Sequence, residues 1–333
     1  MNPPDKLLIT CPSDAVAVTP YLLGFHPHDS LVVLGHGGER SFAFRLDLVG
    51  PEHYSDLLMQ LSGLLIRNDA DAAILLGYGP RERVVPLLAE VQDALQDLVT
   101  VTDVLRVDGG RWWSLMCANL ECCPPEGTPY DVETSRLAAQ ATFAGLVAYG
   151  SREEMAAILT PVEGEDRVWM VAETERAEQD LLHAGPSSSL LVEVGLPLVG
   201  SLIGQDRRLT DHEVARLSIV LTHIRVRDEA WVRIPGLDPQ QQLRLWLDVT
   251  RRAVGEYAAA PAALLAFLAY INGNGSLARI ALDRCRQVTP SYSMAELIRD
   301  CLNLGIPPET VRDKILDTRD MLPQSRGDSA EYV

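Results

Sequence analysis

The fold class is decided by the stretch Ala72-Ala73-Ile74-Leu75-Leu76-Gly77-Tyr78-Gly79-Pro80-Arg81-Glu82-Arg83. Its first half is a short apolar run, which predicts a buried strand, and Gly79-Pro80 predicts that a helix begins directly after that strand. From Leu7 to about Tyr149 similar apolar runs alternate with segments of helical period. This alternation is typical of α/β proteins, so we predict a sheet with flanking helices over residues 1–150.

The predicted sheet is mixed rather than all parallel. Two links, Gly35-His36-Gly37-Gly38 and Asp108-Gly109-Gly110, suit hairpin turns, because glycine tolerates the positive φ angles that such turns use. The segments 57–65 and 84–98 carry their leucines and valines on one helical face and predict helices that pack on the sheet. The predicted strands are Leu7–Thr10, Ser30–Gly35, Ser41–Leu48, Ala72–Gly77, Val99–Val107 and Arg111–Cys117.

Residues 151–320 are predicted to form an all-helical domain. Thr210-Asp211-His212-Glu213 has the spacing of a capping box at a helix start. The segment from Pro261 to about Ala295 has small residues where two antiparallel helices would approach, with Gly273 at the turn. It resembles one tetratricopeptide hairpin, although the aromatic positions and a second copy of that repeat are missing. Residues 321–333 hold too few apolar groups to pack, which predicts a disordered tail.

The charge balance argues against nucleic acid as a partner. The chain has 46 acidic and 29 basic residues, a formal net charge of -17, and this charge repels phosphate backbones. No apolar run is long enough to span a membrane, and the first residues lack the pattern of a secretory signal, so we expect a cytoplasmic protein with reduced thiols. The basic pairs Arg207-Arg208 and Arg251-Arg252 are expected to be solvated surface.

Two longer motifs resemble those of a known family. They are Pro20-Tyr21-Leu22-Leu23-Gly24-Phe25-His26-Pro27-His28-Asp29-Ser30-Leu31-Val32-Val33 and Arg111-Trp112-Trp113-Ser114 with Cys122-Cys123-Pro124-Pro125-Glu126-Gly127. Both are similar to an uncharacterised actinobacterial family, domain of unknown function 4192, and the resemblance extends over most of the chain to about residue 315. It implies an actinobacterial origin, which fits the excess of arginine over lysine. It implies no activity, cofactor or catalytic residue.

Three loops of the α/β half are candidate ligand sites, because α/β sheets bind ligands beside the carboxyl ends of their strands. They are Gly24–Ser30, Gly77–Arg83 and Cys122–Glu126. Free amide groups at the helix start after Gly79-Pro80, with two arginines nearby, suit a phosphate or carboxylate. For each loop the alternative is turn geometry alone, in which the polar side chains bond the local backbone. The candidate residues are His26, Asp29, Ser30, Gly77, Gly79, Arg81, Arg83 and Glu126.

A fourth candidate is the group Cys117, Cys122 and Cys123, as a weak metal or redox site. Zinc needs about four converging ligands, and adjacent cysteines point apart when the chain between them is extended. The spacing therefore favours a thiol-bearing turn over a metal centre, and no cofactor is indicated.

Function is less constrained than fold, because the motifs of metalloproteases, α/β-hydrolases, kinases and calcium loops are missing from the sequence. The favoured hypothesis is a non-catalytic cytoplasmic adaptor or regulatory protein that binds a protein partner through its helical half. The alternative is an enzyme or a small-molecule or anion sensor with its site on the α/β loops. Binding of nucleic acid through a local arginine patch is a third hypothesis, and the oligomeric state is left open.

Overall fold

A computed structural model describes residues 8–38, 40–132, 134–184 and 188–321 of the chain. These residues form two compact units. The α/β unit extends to Ile158 and includes Asn303–Ile306, and the helical unit comprises Leu159–Leu302 and the chain from Pro307 onward. The predicted disordered tail lies outside the described residues except for Met321.

The α/β unit contains a mixed sheet with flanking helices, as predicted. The strand order is β2-β1-β3-β4-β5-β6, and only the pair β3 and β4 is parallel. The strands are β1 (Ser30–Gly37), β2 (Arg40–Asp47), β3 (Ala72–Tyr78), β4 (Thr100–Asp108), β5 (Arg111–Ser114) and β6 (Thr128–Pro129). The helices are α1 (Pro12–Leu23), α2 (Tyr54–Arg67), α3 (Arg81–Leu95), α4 (Arg136–Phe143) and α5 (Arg152–Ala157).

The connections follow the turn chemistry of the sequence. Gly109 and Gly110 join β4 to β5 with φ angles of 54° and 74°, which glycine adopts without the steric cost of a side chain. Helix α3 connects the parallel strands β3 and β4, which need a crossover of this length.

One hydrophobic core lies between the sheet and helices α2 and α3. Leu61 and Leu65 from α2 and Leu88 from α3 are fully buried against Leu75 and Val104 of the sheet. Both helices present the apolar faces that their periodicity predicts. Val32, Leu76 and Leu105 are buried on the opposite face, so both faces of the sheet are covered and the strand ends remain for a site.

The start of the α/β unit differs from the prediction. The predicted strand Leu7–Thr10 is wrong, because Leu8–Thr10 belong to no strand and Leu7 lies outside the described residues. The chain instead enters α1, which the sequence argument missed. The strand predicted over Arg111–Cys117 ends at Ser114.

The helical unit consists of helices that follow one another with short links, as predicted. Helix α8 begins with the predicted capping box, in which Thr210 and Glu213 bond each other's backbone N–H. The helices are α6 (Gly164–Ala184), α7 (Ser188–Leu202), α8 (Asp211–Val220), α9 (Ile224–Arg233), α10 (Pro239–Arg252), α11 (Ala259–Ile271), α12 (Gly275–Val288), α13 (Ser293–Asn303) and α14 (Pro308–Met321).

The predicted helical hairpin is formed by α11 and α12. Gly273, with a φ angle of 76°, makes the turn between them. Every residue of α11 is buried, and Ala278 on α12 is 0% exposed. The small residues therefore build the core of the helical unit rather than an open groove.

None of the helices in the described ranges combines the length and the apolar character that crossing a bilayer requires.

Candidate functional site

Two of the three predicted loops lie side by side at one edge of the sheet. The first residue of β1, Ser30, pairs with Tyr78 at the end of β3, and Tyr78 pairs with Val107 near the end of β4. The loop that enters β1 and the loop that leaves β3 therefore meet at the edge where ligands bind in α/β sheets.

An ion pair joins these two loops. Arg83 donates from Nη1 to Oδ1 of Asp29 at 2.9 Å and from Nη2 to the carbonyl of Leu48 at 3.4 Å. Gly79 has a φ angle of 140°, and a Cβ atom built there would lie 3.3 Å from the same carboxylate oxygen. Glycine at this position thus lets the strand end approach Asp29 closely.

The ion pair reduces the positive charge expected at the start of α3. The carboxylate of Asp29 compensates Arg83, and Glu82 places a second negative charge in the first turn of the helix. Arg81 is exposed. An anion at this helix start would meet two nearby carboxylates, which oppose its binding.

The other residues of these loops have structural contacts. Ser30 is fully buried, donates to the carbonyl of His28 at 2.6 Å and accepts from Nε of Arg45 at 2.9 Å. The side chain of His26 is exposed, and its backbone N–H donates to the carbonyl of Tyr149 at 2.9 Å. Gly77 is buried under α3, where a Cβ atom would lie 2.3 Å from a methyl carbon of Val84.

The third loop does not join this pair. Glu126 is exposed, and its carbonyl accepts from Arg111 at 3.3 Å on β5, two strands away from β3. Within the part of the chain that the structure describes, no hydrogen bond or ion pair links Glu126 to Asp29 or Arg83. The predicted residues therefore form two separate groups.

The loop after β5 contains a cluster of three thiols. The sulfur atoms of Cys117, Cys122 and Cys123 all lie within 4.8 Å of one another. Cys122 is exposed and the other two are half-buried. Such a group of converging soft ligands is the arrangement that thiophilic metal ions require.

A turn on Asn119 brings the three sulfur atoms together. Its carbonyl accepts from the backbone N–H of Cys122 at 3.2 Å and of Cys123 at 2.8 Å, and its side-chain oxygen accepts from the N–H of Glu121 at 2.9 Å. Adjacent cysteines diverge on an extended chain, which is the conformation expected from the sequence. The chain instead reverses here, so both adjacent thiols face Cys117.

The beginning of this loop is attached to the sheet through Ser114. Its hydroxyl accepts from the backbone N–H groups of Met116 and Cys117, both at 3.3 Å. The same hydroxyl donates to the carboxylate of Asp103 on β4 at 2.9 Å. These bonds hold Cys117 close to the end of the strand.

The end of the loop packs against Trp113. The indole N–H of Trp113 donates to the carbonyl of Pro125 at 2.9 Å, and the guanidinium of Arg106 stacks 3.7 Å from the ring centroid. Arg111 donates to the carbonyl of Gly127 at 2.7 Å. Cation–π contact and hydrogen bonds thus fix the loop at both ends.

Cys117 and Cys123 differ in acidity. Hydrogen bonds lower the pKa of Cys117. The bond with the Asn119 backbone has the largest effect, and the bond with the Cys123 thiol follows. The pKa of Cys123 is raised to about 12. Burial is the largest cause, and the neighbouring thiols of Cys117 and Cys122 add to it. Cys117 is therefore more acidic than Cys123, and it is the better nucleophile and first ligand of the two.

The geometry fits a small metal ion better than the sequence suggested. With Zn–S bonds of about 2.3 Å, tetrahedral coordination places the sulfur atoms about 3.8 Å apart, so shifts of about 1 Å or less would complete the site. Three cysteines leave one position for water or another ligand. Trp113 and Ser114 lie in one of the two family motifs but were not assigned to a site, and Asn119 was missed because no motif marks it.

One residue of the two basic pairs, Arg252, is not solvated surface as predicted, whereas its neighbour Arg251 is exposed. Arg252 is 3% exposed, forms ion pairs with Asp211 and with Asp248, and donates to the carbonyl of Leu209 at 2.9 Å. Burial of a charge is tolerated here because two carboxylates compensate it.

Comparison with protein families gives one match, and it extends over both units. The model of the family described as Domain of unknown function (DUF4192) matches residues 12–309. The chain belongs to this family. The resemblance found in the two sequence motifs is thereby confirmed, whereas the actinobacterial origin stays a prediction. No curated protein and no solved structure matches the chain.

Proposed function

We propose that this member of the DUF4192 family is a regulatory protein that binds a thiophilic metal ion, Zn²⁺ in the first place, through Cys117, Cys122 and Cys123. One observation carries the proposal: the three sulfur atoms lie within 4.8 Å of one another on a loop that hydrogen bonds hold at both ends. The site belongs to the α/β unit, where a sensor site is the alternative that the sequence left open.

Metal binding fits the sulfur separations better than a disulfide does. A disulfide needs its two sulfur atoms about 2.0 Å apart, whereas zinc needs about 3.8 Å. The turn on Asn119 and the anchor at Ser114 oppose the larger movement. Zinc coordination therefore requires less rearrangement of the loop.

The ligand number supports sensing rather than a purely structural role. Structural zinc sites are closed by four protein ligands, whereas three ligands leave a position for exchange. Cys122 is exposed, so an ion has access from solvent. The cytoplasm keeps such thiols reduced, and we propose that location for the protein.

Binding of a protein partner remains part of the proposal without an assigned surface. The α11–α12 hairpin offers such a partner little, because α11 is buried throughout. A regulatory protein would communicate the bound ion to its partner through other surfaces of the chain.

The test is a titration of the full chain with Zn²⁺ in reducing buffer against a chromophoric chelator. We expect one ion per chain, and we expect Co²⁺ to give the charge-transfer band of thiolate coordination. Cys117→Ser, Cys122→Ser and Cys123→Ser should each weaken binding by at least about tenfold, because a thiolate ligand is lost. Cys11→Ser is the matched control, since Cys11 is also exposed and lies outside the cluster.

Two results would overturn the proposal. One is a wild-type chain that takes up no Zn²⁺ or Co²⁺ while its circular dichroism shows a folded protein. The other is equal affinity in wild type and Cys122→Ser. A count of four rather than six reactive thiols in the denatured chain, isolated without reductant, would assign two cysteines of the cluster to a disulfide instead.

A further inference from the structure

A cleft of about 380 Å³ lies in the helical unit, between the segment 205–209 and helix α10. Its volume is in the range of small-molecule sites. Three arginines line it, Arg207, Arg208 and Arg244, together with Asp206 and Asp248. In a chain of net charge -17, such a concentration of guanidinium groups in one concave surface is unexpected from composition.

One of the three arginines is fully engaged by the protein. Arg207 forms a bidentate pair with the carboxylate of Glu213, at 2.5 Å and 2.8 Å, and its Nε donates to Gln205 at 2.6 Å. This arginine closes the capping box of α8 and has little capacity left for a ligand.

The second arginine, Arg208, has a weak and shared partner. Only its Nε contacts Asp248, at 3.3 Å. The same carboxylate accepts from the buried Arg252 at 2.6 Å, so most of its charge is already compensated. The two terminal nitrogens of Arg208 have no partner within the described part of the chain, and the side chain is 73% exposed.

The third arginine, Arg244, has a single contact that solvent screens. Its Nη2 meets Asp206 at 2.8 Å, and the two side chains are 64% and 77% exposed. Ion pairs of this exposure contribute little and exchange readily. Within the described ranges Arg208 and Arg244 both line the cleft, and each uses only one of its nitrogens in a contact with the protein.

We propose that this cleft binds a small phosphate monoester through Arg208 and Arg244. Two guanidinium forks match the charge and the three terminal oxygens of a phosphate dianion, whereas a carboxylate offers two oxygens and one charge. The cleft, at about 380 Å³, is larger than a phosphate group and leaves room for the body of a small ester, with the buried Leu209 and Leu245 as a narrow apolar floor. The site is independent of the three thiols and gives the helical unit a ligand of its own.

The test is calorimetric titration of the full chain with two probes, inorganic phosphate and phenyl phosphate, with chloride at equal ionic strength as the reference. We expect saturable binding of both probes and tighter binding of phenyl phosphate. The double variant Arg208→Gln and Arg244→Gln should weaken both by about tenfold or more, since two charge-assisted contacts are lost. Arg286→Gln, an exposed arginine on α12, is the matched control and should stay within about twofold of wild type.

We expect the variants to fold, because Arg207 stays paired with Glu213 and Arg252 stays paired with Asp248. Urea denaturation of each variant checks this. Equal affinity in the wild type and the double variant would overturn the proposal, as would wild-type heats that do not saturate. Binding of inorganic phosphate without phenyl phosphate would overturn the ester assignment. Zinc uptake is measured separately, so failure here is distinguishable from failure of the metal proposal.

Discussion

Gly127 is the residue on which the shape of the cysteine loop depends most directly. Its φ angle is 80°, and a Cβ atom there would lie 2.4 Å from the ring of Trp113. Gly127→Ala must therefore displace the indole that holds Pro125. We expect the affinity for Zn²⁺ to fall by about tenfold, the effect of disturbing groups that support metal ligands, in a chelator competition titration.

Gly110→Ala separates this effect from backbone strain. Gly110 has a similar φ angle of 74°, but a Cβ atom there would meet nothing within 4 Å. Both variants share the cost of placing alanine at positive φ, and only Gly127→Ala moves Trp113. Equal losses of zinc affinity in the two variants would show that the contact with Trp113 does not matter.

Glu213 gives the helical unit a pH dependence at the scale of one side chain. The hydrogen bonds from Arg207, followed by those from Thr210, lower the pKa of this carboxyl from 4.5 to about 2. A lowered folded pKa means that the carboxylate stabilises the protein above pH 4.5 and that this stabilisation disappears as the pH falls toward 2. Glu213→Gln should destabilise the unit by about 1 kcal/mol at pH 7.

The same prediction has a clear signature in urea denaturation at two pH values. The difference between wild type and Glu213→Gln should be larger at pH 7 than at pH 3, because at pH 3 this carboxyl is protonated in the unfolded wild type but still mainly ionised in the folded one, whereas glutamine does not titrate. Glu175→Gln, on the exposed face of α6, is the control and should show no such change. A difference that stays constant with pH would contradict the assigned pKa.

At the scale of elements, the sequence predicts strands and helices where burial is one-sided or where turns are marked. β1, β3 and β4 were found because short apolar runs end at Gly or Pro signals. Helix α1 was missed because Ala15, Val16, Ala17, Val18, Thr19 and Pro20 are all buried. A helix without an exposed face has no period of 3.6 residues to detect, and Pro20 argued against it.

The candidate site was predictable only where it follows from strand order. Asp29 and Arg83 meet because β1 begins and β3 ends at the same edge. The thiol cluster depends on hydrogen bonds to Asn119 and Ser114, which no spacing of cysteines specifies. Local chain reversal, rather than sequence distance, decides whether adjacent thiols converge.

The α11–α12 hairpin yields a prediction about packing. Ala278 is 0% exposed and faces a helix whose residues are all buried, so no space is left for a larger side chain. Ala278→Leu should destabilise the helical unit by about 1–3 kcal/mol through overpacking. Native-state hydrogen exchange of the α11 and α12 amides measures the loss.

Ala172→Leu is the control for helix propensity and added apolar surface. Ala172 is exposed on α6, so the added atoms meet solvent, and the change should stay within about 0.5 kcal/mol. If Ala278→Leu destabilises the protein no more than Ala172→Leu does, the close approach of α11 and α12 would be contradicted.

At the scale of the whole chain, the charge of -17 sets a condition on both proposed ligands. A negative field attracts a metal cation and repels a phosphate ester over distances comparable to the Debye length. Specific contacts must therefore supply the selectivity for phosphate. The arginines of the cleft do so at short range, where screening by salt is weakest.

Zn²⁺ and phenyl phosphate should protect different parts of the full chain. The three thiols lie in the α/β unit and the arginine cleft in the helical unit, so each ligand stabilises the unit that holds it. At a free concentration of about 100 times Kd this amounts to about 2.7 kcal/mol. Hydrogen exchange should slow in peptides around 103–130 with Zn²⁺ and in peptides around 205–248 with phenyl phosphate. Because the residues proposed for each ligand belong to a single unit, we expect the phosphate affinity to be unchanged by zinc. A change in that affinity, matched by an equal change in zinc affinity when phosphate is bound, would show instead that the two units are coupled, since such linkage is reciprocal.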